Sequence, residues 1–387
     1  MRPYQFQTAD KIAAGCHTLE RLNEYLNVLP PVRTALVLSQ PSIVKAGYAE
    51  SVVRQLEQSG IACQLNADVR PEPTDRAIIE IFEKYKDEGY DMVVGIGGGS
   101  VLDAAKILSV LATNAMSIEE MLGIDKIAAA GVPLILIPTT SGTGSEVTPN
   151  AIVTLPEQEL KIGIVSRYLL PQLVIIDPLL TLGLPKPITA ATGMDAFTHA
   201  FESFISNKAN PFSDMFALES MRLISQNIET AYHHGDQADA REAMMLGSMY
   251  GGMALTCAGT AAVHAMAYPI GGKFNIPHGV ANSMLLPHVL EFNLDAIAHR
   301  MNLAASAMGI TDSHRCSSGE AADRVLERIT KWTSALDIPQ DLRSFGVTDL
   351  DVPDLAIAAS KVTRLMDNNP KQLTVDDIES IYRQLIR

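Results

Sequence analysis

DMVVGIGGGSVLDAAK, residues 91–106, decides the fold. An apolar run, Met92–Ile96, passes into Gly97, Gly98 and Gly99 and then into a helical pattern that opens at Ser100. Such a continuous apolar run reads as a strand buried on both faces, the kind that parallel sheets use. Glycines at its end let the backbone approach a ligand without Cβ clashes. The free amides and dipole of the helix that follows favour an anion. The order is therefore strand, phosphate-binding turn, helix. One feature departs from the dinucleotide fingerprint: Ser100 stands where its third glycine would be. Ser100 and Asp103 also fit an S-x-x-D capping box, in which both only satisfy orphan amides.

Further short aliphatic runs lie on either side, at Thr34–Ser39, Val132–Ile137 and Leu173–Ile176, with helical patterns over Tyr48–Ser59, Thr74–Glu88 and Val101–Ala112. Strand and helix in alternation predict a doubly wound α/β domain. A second polar loop, PTTSGTGSEVTPN at Pro138–Asn150, leaves the carboxyl end of the Val132–Ile137 run. Ligands of open α/β sheets lie at that edge, and the hydroxyls of Thr139, Thr140, Thr143 and Ser145 are candidate donors to phosphate or ribose. Alone, this loop reads as a solvated turn; two glycine loops at one sheet edge favour a nucleotide site.

After Asp177 three prolines crowd a short segment, and beyond it only helical patterns recur. The expected division is an α/β dinucleotide-binding domain over 1–185 and an all-helical domain over 186–387. With 387 residues, at about 100–200 per domain, the chain is long enough for two domains. Thirty Lys and Arg against 44 Asp and Glu leave a net charge of -14, which repels phosphate backbones and argues against nucleic acid. The four cysteines form no CxxC pair, against a disulfide framework or thiolate zinc. No signal-peptide pattern and no run of about 18 uncharged apolar residues is seen. The expectation is a soluble, cytoplasmic protein that does not enter membranes.

In the helical half, GMDAFTHAFE places Asp195 and His199 four residues apart, on one face of a predicted helix. AAVHAMAYPIGGKFNIPHG adds His264, and His278 after a loop bearing glycine and proline. Three imidazoles and a carboxylate suit a divalent transition metal such as iron or zinc, and suit calcium or magnesium poorly. The Asp195/His199 pair alone reads first as an intrahelical ion pair.

GGGSVLDAAK, PTTSGTGSEVT, GMDAFTHAFES, AVHAMAYPIGGKFNIPHGVANSMLLP and NNPKQLT, in this order across nearly the whole chain, resemble the iron-containing (group III) alcohol dehydrogenases. The resemblance implies a Rossmann-like N-terminal domain and an all-α C-terminal metal-binding domain, the dehydroquinate synthase-like architecture. It implies Fe2+, alternatively Zn2+, on Asp195, His199, His264 and His278. It also implies pyrophosphate contacts from Gly97, Gly98, Gly99 and Ser100, with Asp103 and the Thr139–Thr143 loop near the nicotinamide. Val153, Lys161 and Leu180 match positions that flank ribose and adenine. The implied activity is hydride transfer between a nicotinamide cofactor and a small primary alcohol, diol or aldehyde, in a homodimer. The alternatives are a non-redox lyase of the same architecture and a catalytically weakened nucleotide-binding homologue.

Several positions depart from the family pattern. Tyr268 stands where relatives often carry a second histidine of a proton relay, and a phenol, with a pKa near 10, is a poorer acceptor at neutral pH. Many NAD-preferring members have an aspartate where this chain has Gln40, while Glu72 replaces a common asparagine near the same ribose. A glutamate there can hold the diol and disfavour a 2′-phosphate, so NAD is expected over NADP. Asn150, Leu255 and Lys273 are the candidate substrate residues.

Overall fold

Every residue of Met92–Gly97 is buried, and the cause lies on its two sides. Val93 packs with Leu36, Leu134 and Leu136 in one aliphatic cluster, while Met92, Val94 and Ile96 pack with Ala35, Val37, Ile135 and Ile137 in another. Successive side chains of a strand point to opposite faces, so a sheet covered on both faces demands an unbroken apolar run. The computed structural model describes residues 3–158, 160–310 and 316–386.

The strands are β1 (Lys11–Ala14), β2 (Thr34–Leu38), β3 (Ala62–Asn66), β4 (Met92–Gly97), β5 (Gly123–Ile124), β6 (Leu134–Pro138), β7 (Asn150–Leu155), β8 (Leu160–Val165) and β9 (Leu173–Ile176). Six of them form a parallel sheet in the order β1-β9-β6-β4-β2-β3. Because β2 leads outward to β3 and the chain then returns to place β4 on the other side of β2, the order reverses between β2 and β4. That reversal is the switch point of a doubly wound sheet. Gly97 of β4 pairs with Pro138 of β6, so both glycine loops start side by side at the carboxyl edge. Helices Tyr48–Gln58, Asp75–Tyr85 and Gly99–Leu111 connect the strands.

The sequence pattern does not anticipate β1, β3 or the antiparallel pair β7 and β8, which with β5 forms a three-stranded sheet. β1 and β3 are the outer strands, partly exposed, and lack the aliphatic density that marks a central strand.

The α/β unit comprises Gln7–Thr140 and Gly144–Leu182. The other unit runs from Gly183 onward and also takes in Ser141–Thr143 of the second glycine loop. Its described residues after Gly183 contain helices and no strand. The main ones are Lys186–Ile205, Pro211–His233, Ala238–Ala258, Ala262–Phe274, His278–Ile297 and Ser318–Ala335. The sequence pattern starts the first of these at Ala191; it starts earlier, with Pro187 tolerated in the first turn. His278–Ile297 escapes the sequence pattern because Pro287 interrupts its periodicity. A 3-10 turn at Ala298–Arg300 separates His278–Ile297 from the short helix Met301–Ala307.

Two glycines set close approaches in this unit. A Cβ on Gly279 would lie 2.2 Å from the Ala191 carbonyl oxygen, and one on Gly142 would lie 2.7 Å from Thr192 Cβ. Among the described residues no single helix is long and apolar enough to cross a membrane, and the four cysteines form no disulfide.

Candidate functional site

Asp195, His199 and Glu202 lie on Lys186–Ile205 at offsets of four and three, which puts them on one helical face. All three are buried, as is His264 of Ala262–Phe274. Asp195, His199 and His264 each present a ligand atom, and these atoms lie within 4.8 Å of one another. His278, the first residue of His278–Ile297, brings Nε2 to 3.8 Å from Asp195 Oδ1 and keeps 30% of its side chain exposed. The His199 and His264 rings stack at 4.7 Å, and His264 meets His278 edge-on at 5.2 Å. The structure therefore brings together all four metal candidates that the sequence offers.

Their hydrogen bonds orient them. His199 Nδ1 faces the Gly142 carbonyl at 3.3 Å, and His264 Nδ1 faces Glu202 Oε2 at 2.6 Å. Since an oxygen acceptor at Nδ1 requires N–H there, each Nε2 keeps a lone pair for a ligand. Burial pushes the His199 pKa down to about 4, against the pull of Asp195, so this imidazole is neutral at pH 7. Burial alone would raise Asp195, but the neighbouring imidazoles and the Asn282 amide hold it below the usual aspartate value.

Asn282, one turn beyond His278, is not singled out by the sequence, and neither is Glu202. The Asn282 Nδ2 lies 2.7 Å from Asp195 Oδ1, 3.1 Å from His264 Nε2 and 3.1 Å from His278 Nε2. Its Oδ1 is buried without a hydrogen-bond partner among the described residues. A carboxylate and three imidazoles gathered at one point, beside an orphaned amide oxygen, fit a divalent cation. The signals available were the +7 offset of Glu202 from Asp195 and the +4 offset of Asn282 from His278.

At the sheet edge, Gly98 caps Gly99–Leu111 without any side-chain hydrogen bond, which leaves that helix N-terminus suited to an anion. Gly97 also serves helix packing, since a Cβ there would meet Val101 Cγ2 at 2.6 Å. The capping-box reading of Ser100 and Asp103 does not hold. Ser100 Oγ accepts from Glu72 N at 2.9 Å. Asp103 reaches away, accepting from Ser145 Oγ at 2.5 Å and Ile152 N at 3.0 Å, and burial raises its pKa. Asp103 and Ser145 thus brace the second loop. Thr139, whose N donates to Gly97 O at 3.0 Å, has a buried Oγ1 with no partner among the described residues. An uncapped helix start beside an orphaned hydroxyl fits a phosphate-bearing cofactor. Thr140 and Thr143 are partly exposed in the same loop.

Glu72 sits in the left-handed region at φ 52 and pairs with Lys161 at 2.7 Å, while its carbonyl accepts from Thr154 Oγ1 at 3.3 Å. Gln40 donates to Ser42 Oγ at 3.1 Å. Val153 and Leu180 are buried in the two aliphatic cores of the α/β unit. Asn150 turns its carbonyl to Lys106 at 2.7 Å. Leu255 is partly exposed on Ala238–Ala258. The Tyr268 ring lies 5.8 Å from the His278 ring. Lys273 occupies the last turn of Ala262–Phe274 and pairs with Asp351 at 2.7 Å, so its charge already has a partner.

The family profile described as "Iron-containing alcohol dehydrogenase" matches residues 9–178, and "Fe-containing alcohol dehydrogenase family, C-terminal" matches residues 189–386. The chain is 39% identical over 350 residues to long-chain-alcohol dehydrogenase 1 of Geobacillus thermodenitrificans (strain NG80-2), covering 90% of this chain and 88% of that one. It is 38% identical over 341 residues to the 1,3-propanediol dehydrogenase of Citrobacter freundii, covering 88% of each. A crystal structure of 1,3-propanediol oxidoreductase superposes with a TM-score of 0.94 at 35% identity, covering 100% of both chains. With both halves matched in order and relatives similar along most of their length, the chain belongs to the iron-containing alcohol dehydrogenase family and is an oxidoreductase.

Proposed function

We propose that the chain interconverts small primary alcohols or diols and their aldehydes, with Fe2+ held by Asp195, His199, His264 and His278 and with NAD as hydride carrier. The observation that carries this reading is the convergence of one carboxylate and three imidazoles on a single point. When bound, such an ion supplies Lewis acidity toward a carbinol or carbonyl oxygen, and the nicotinamide gives or takes the hydride.

The chain's own residues prepare that chemistry. Gly142 and Glu202 hold two imidazoles by Nδ1, which turns Nε2, the nitrogen a cation would use, toward the site. Asp195, His199 and His264 are buried, and His278 is the most exposed of the four. Tyr268, beside His278, supplies a hydroxyl able to pass a proton. The bare helix N-terminus at Gly98 supplies local positive potential to a dinucleotide that the net charge of -14 would repel.

NAD is favoured over NADP on Glu72, which is fixed by its backbone bonds to Ser100 and Thr154 and whose carboxylate, paired with Lys161 at 2.7 Å, offers acceptor oxygens to a ribose diol. Four cysteines that form no disulfide among the described residues are consistent with a reducing, cytoplasmic setting. The test is metal analysis together with NADH and NADPH oxidation against a panel of short aldehydes. Metal-dependent NADH consumption is expected. Product formed without net change in NADH would replace the dehydrogenase by a lyase.

A further inference from the structure

Glu202 is not one of the four ligand candidates, yet it is one of the most enclosed carboxylates among the described residues, with a side chain only 1% exposed. A carboxylate in such a place is costly unless its oxygens are satisfied. Three N–H donors point at it. Oε1 accepts from Val263 N at 2.7 Å, and Oε2 accepts from Ala261 N at 3.0 Å and from His264 Nδ1 at 2.6 Å. The two amides belong to the start of Ala262–Phe274, the helix that carries His264. One side chain therefore ties down both the backbone that positions His264 and the ring nitrogen that decides its tautomer.

We propose that Glu202 is a positioning residue of the metal centre: it fixes His264 in the Nδ1–H form with Nε2 turned to the ion and strengthens metal binding by its charge. The inference rests on the metal reading given under Proposed function. Two observations support it independently of that reading. Asp195, His199 and Glu202 share one face of one helix, so a single rigid element sets two ligands and the group that steers a third. The bond is also of the short, charge-assisted kind. Asp195 and Glu202 together carry two negative charges, which match a divalent cation where Asp195 alone would leave one positive charge buried. A carboxylate behind a ligating histidine raises its donor strength, and losing such a partner costs about 10–100-fold in affinity.

The test compares wild type, Glu202→Gln and Glu202→Asp. In either amide orientation of the Gln variant an N–H donor faces another donor, and the charge is gone; Asp keeps the charge on a shorter arm. Zn2+ affinity is measured by competition with a chromogenic chelator, and the His264 tautomer by 15N-histidine NMR of the metal-free protein. Expected are an Nδ1–H tautomer in wild type, Zn2+ affinity about 10–100-fold weaker in Glu202→Gln, and partial recovery in Glu202→Asp. Wild-type affinity and an unchanged His264 signal in Glu202→Gln would overturn the proposal and leave the metal reading intact. Failure of wild type itself to bind Zn2+ would overturn both. Should Glu202→Gln not fold, Glu202→Asp decides: an affinity equal to wild type, with the His264 signal unmoved, counts against the proposal.

Discussion

Lys106 Nζ lies 2.7 Å from the carbonyl oxygen of Asn150, where the second glycine loop enters β7. The same ammonium donates to Thr148 O at 2.9 Å and to Thr148 Oγ1 at 3.3 Å, and its side chain is fully buried. Burial pulls its pKa down to about 8, against the opposing pull of Asp103 and Glu146. One lysine of the glycine-loop helix thus holds the far end of the second loop, while Asp103 holds Ser145.

Lys106→Met strips three acceptors of their donor and leaves Asp103 and Glu146 without a buried countercharge. Removing one partner of a buried ionic cluster costs about 3–5 kcal/mol. Chemical denaturation should show that loss, and weaker NADH binding should accompany it. An unchanged denaturation midpoint would contradict the bracing role.

Glu146 gives the same cluster a pH signature. Burial raises its pKa from 4.5 to about 7, only partly offset by its own backbone amide and Lys106. The folded state therefore holds this proton over a range where the unfolded state has lost it. The stability it confers is complete below about pH 4.5 and is lost as pH rises toward 7, on the order of 3 kcal/mol. Glu146→Gln should flatten the Tm profile across this window. Parallel profiles for wild type and variant would refute the assignment.

Gly279 allows the helix bearing His278 to approach Ala191, since a Cβ would lie 2.2 Å from the Ala191 carbonyl. Backbone cannot rotate aside as a side chain can. Gly279→Ala should cost about 1–3 kcal/mol and weaken metal binding by displacing His278 from Asp195. Gly319, where a Cβ meets nothing within 4 Å, is the control: Gly319→Ala should be neutral or gain up to about 1 kcal/mol. Equal effects at the two glycines would remove the packing argument.

The central strands were legible because burial on both faces removes the need for polar positions, so TALVL and LVII announce themselves. β3, on the outside of the sheet, carries ACQLN with partial exposure and offers no comparable signal. Asp195, His199, His264 and His278 were readable as a set because their residue types are rare and chemically specific. Asn282 and Glu202 were not, because an asparagine four residues past a histidine and a glutamate late in a helix are common on solvated faces. Only three-dimensional convergence separates them from those. The capping-box alternative for Ser100 and Asp103 fails for a related reason: a capping box is a local pattern, and Asp103 instead reaches Ile152, 49 positions away.

Tyr268, whose ring lies 5.8 Å from that of His278, should set the pH dependence of turnover. Imidazole titrates near 6.5 and phenol near 10 in unperturbed settings. In Tyr268→His the alkaline rise of the rate of alcohol oxidation should therefore move toward neutral pH, with Tm little altered. A profile identical to wild type would place the proton relay elsewhere.

Metal content and turnover measured together on His264→Ala bear most directly on the four-ligand centre. Wild type should hold about one divalent ion per chain, lose turnover on chelation and regain it on adding Fe2+ or Zn2+. The variant should fold, hold no ion and show no NADH formation, at any metal concentration, from a short alcohol or diol that wild type oxidises. Full turnover in a metal-free His264→Ala protein would contradict the centre outright.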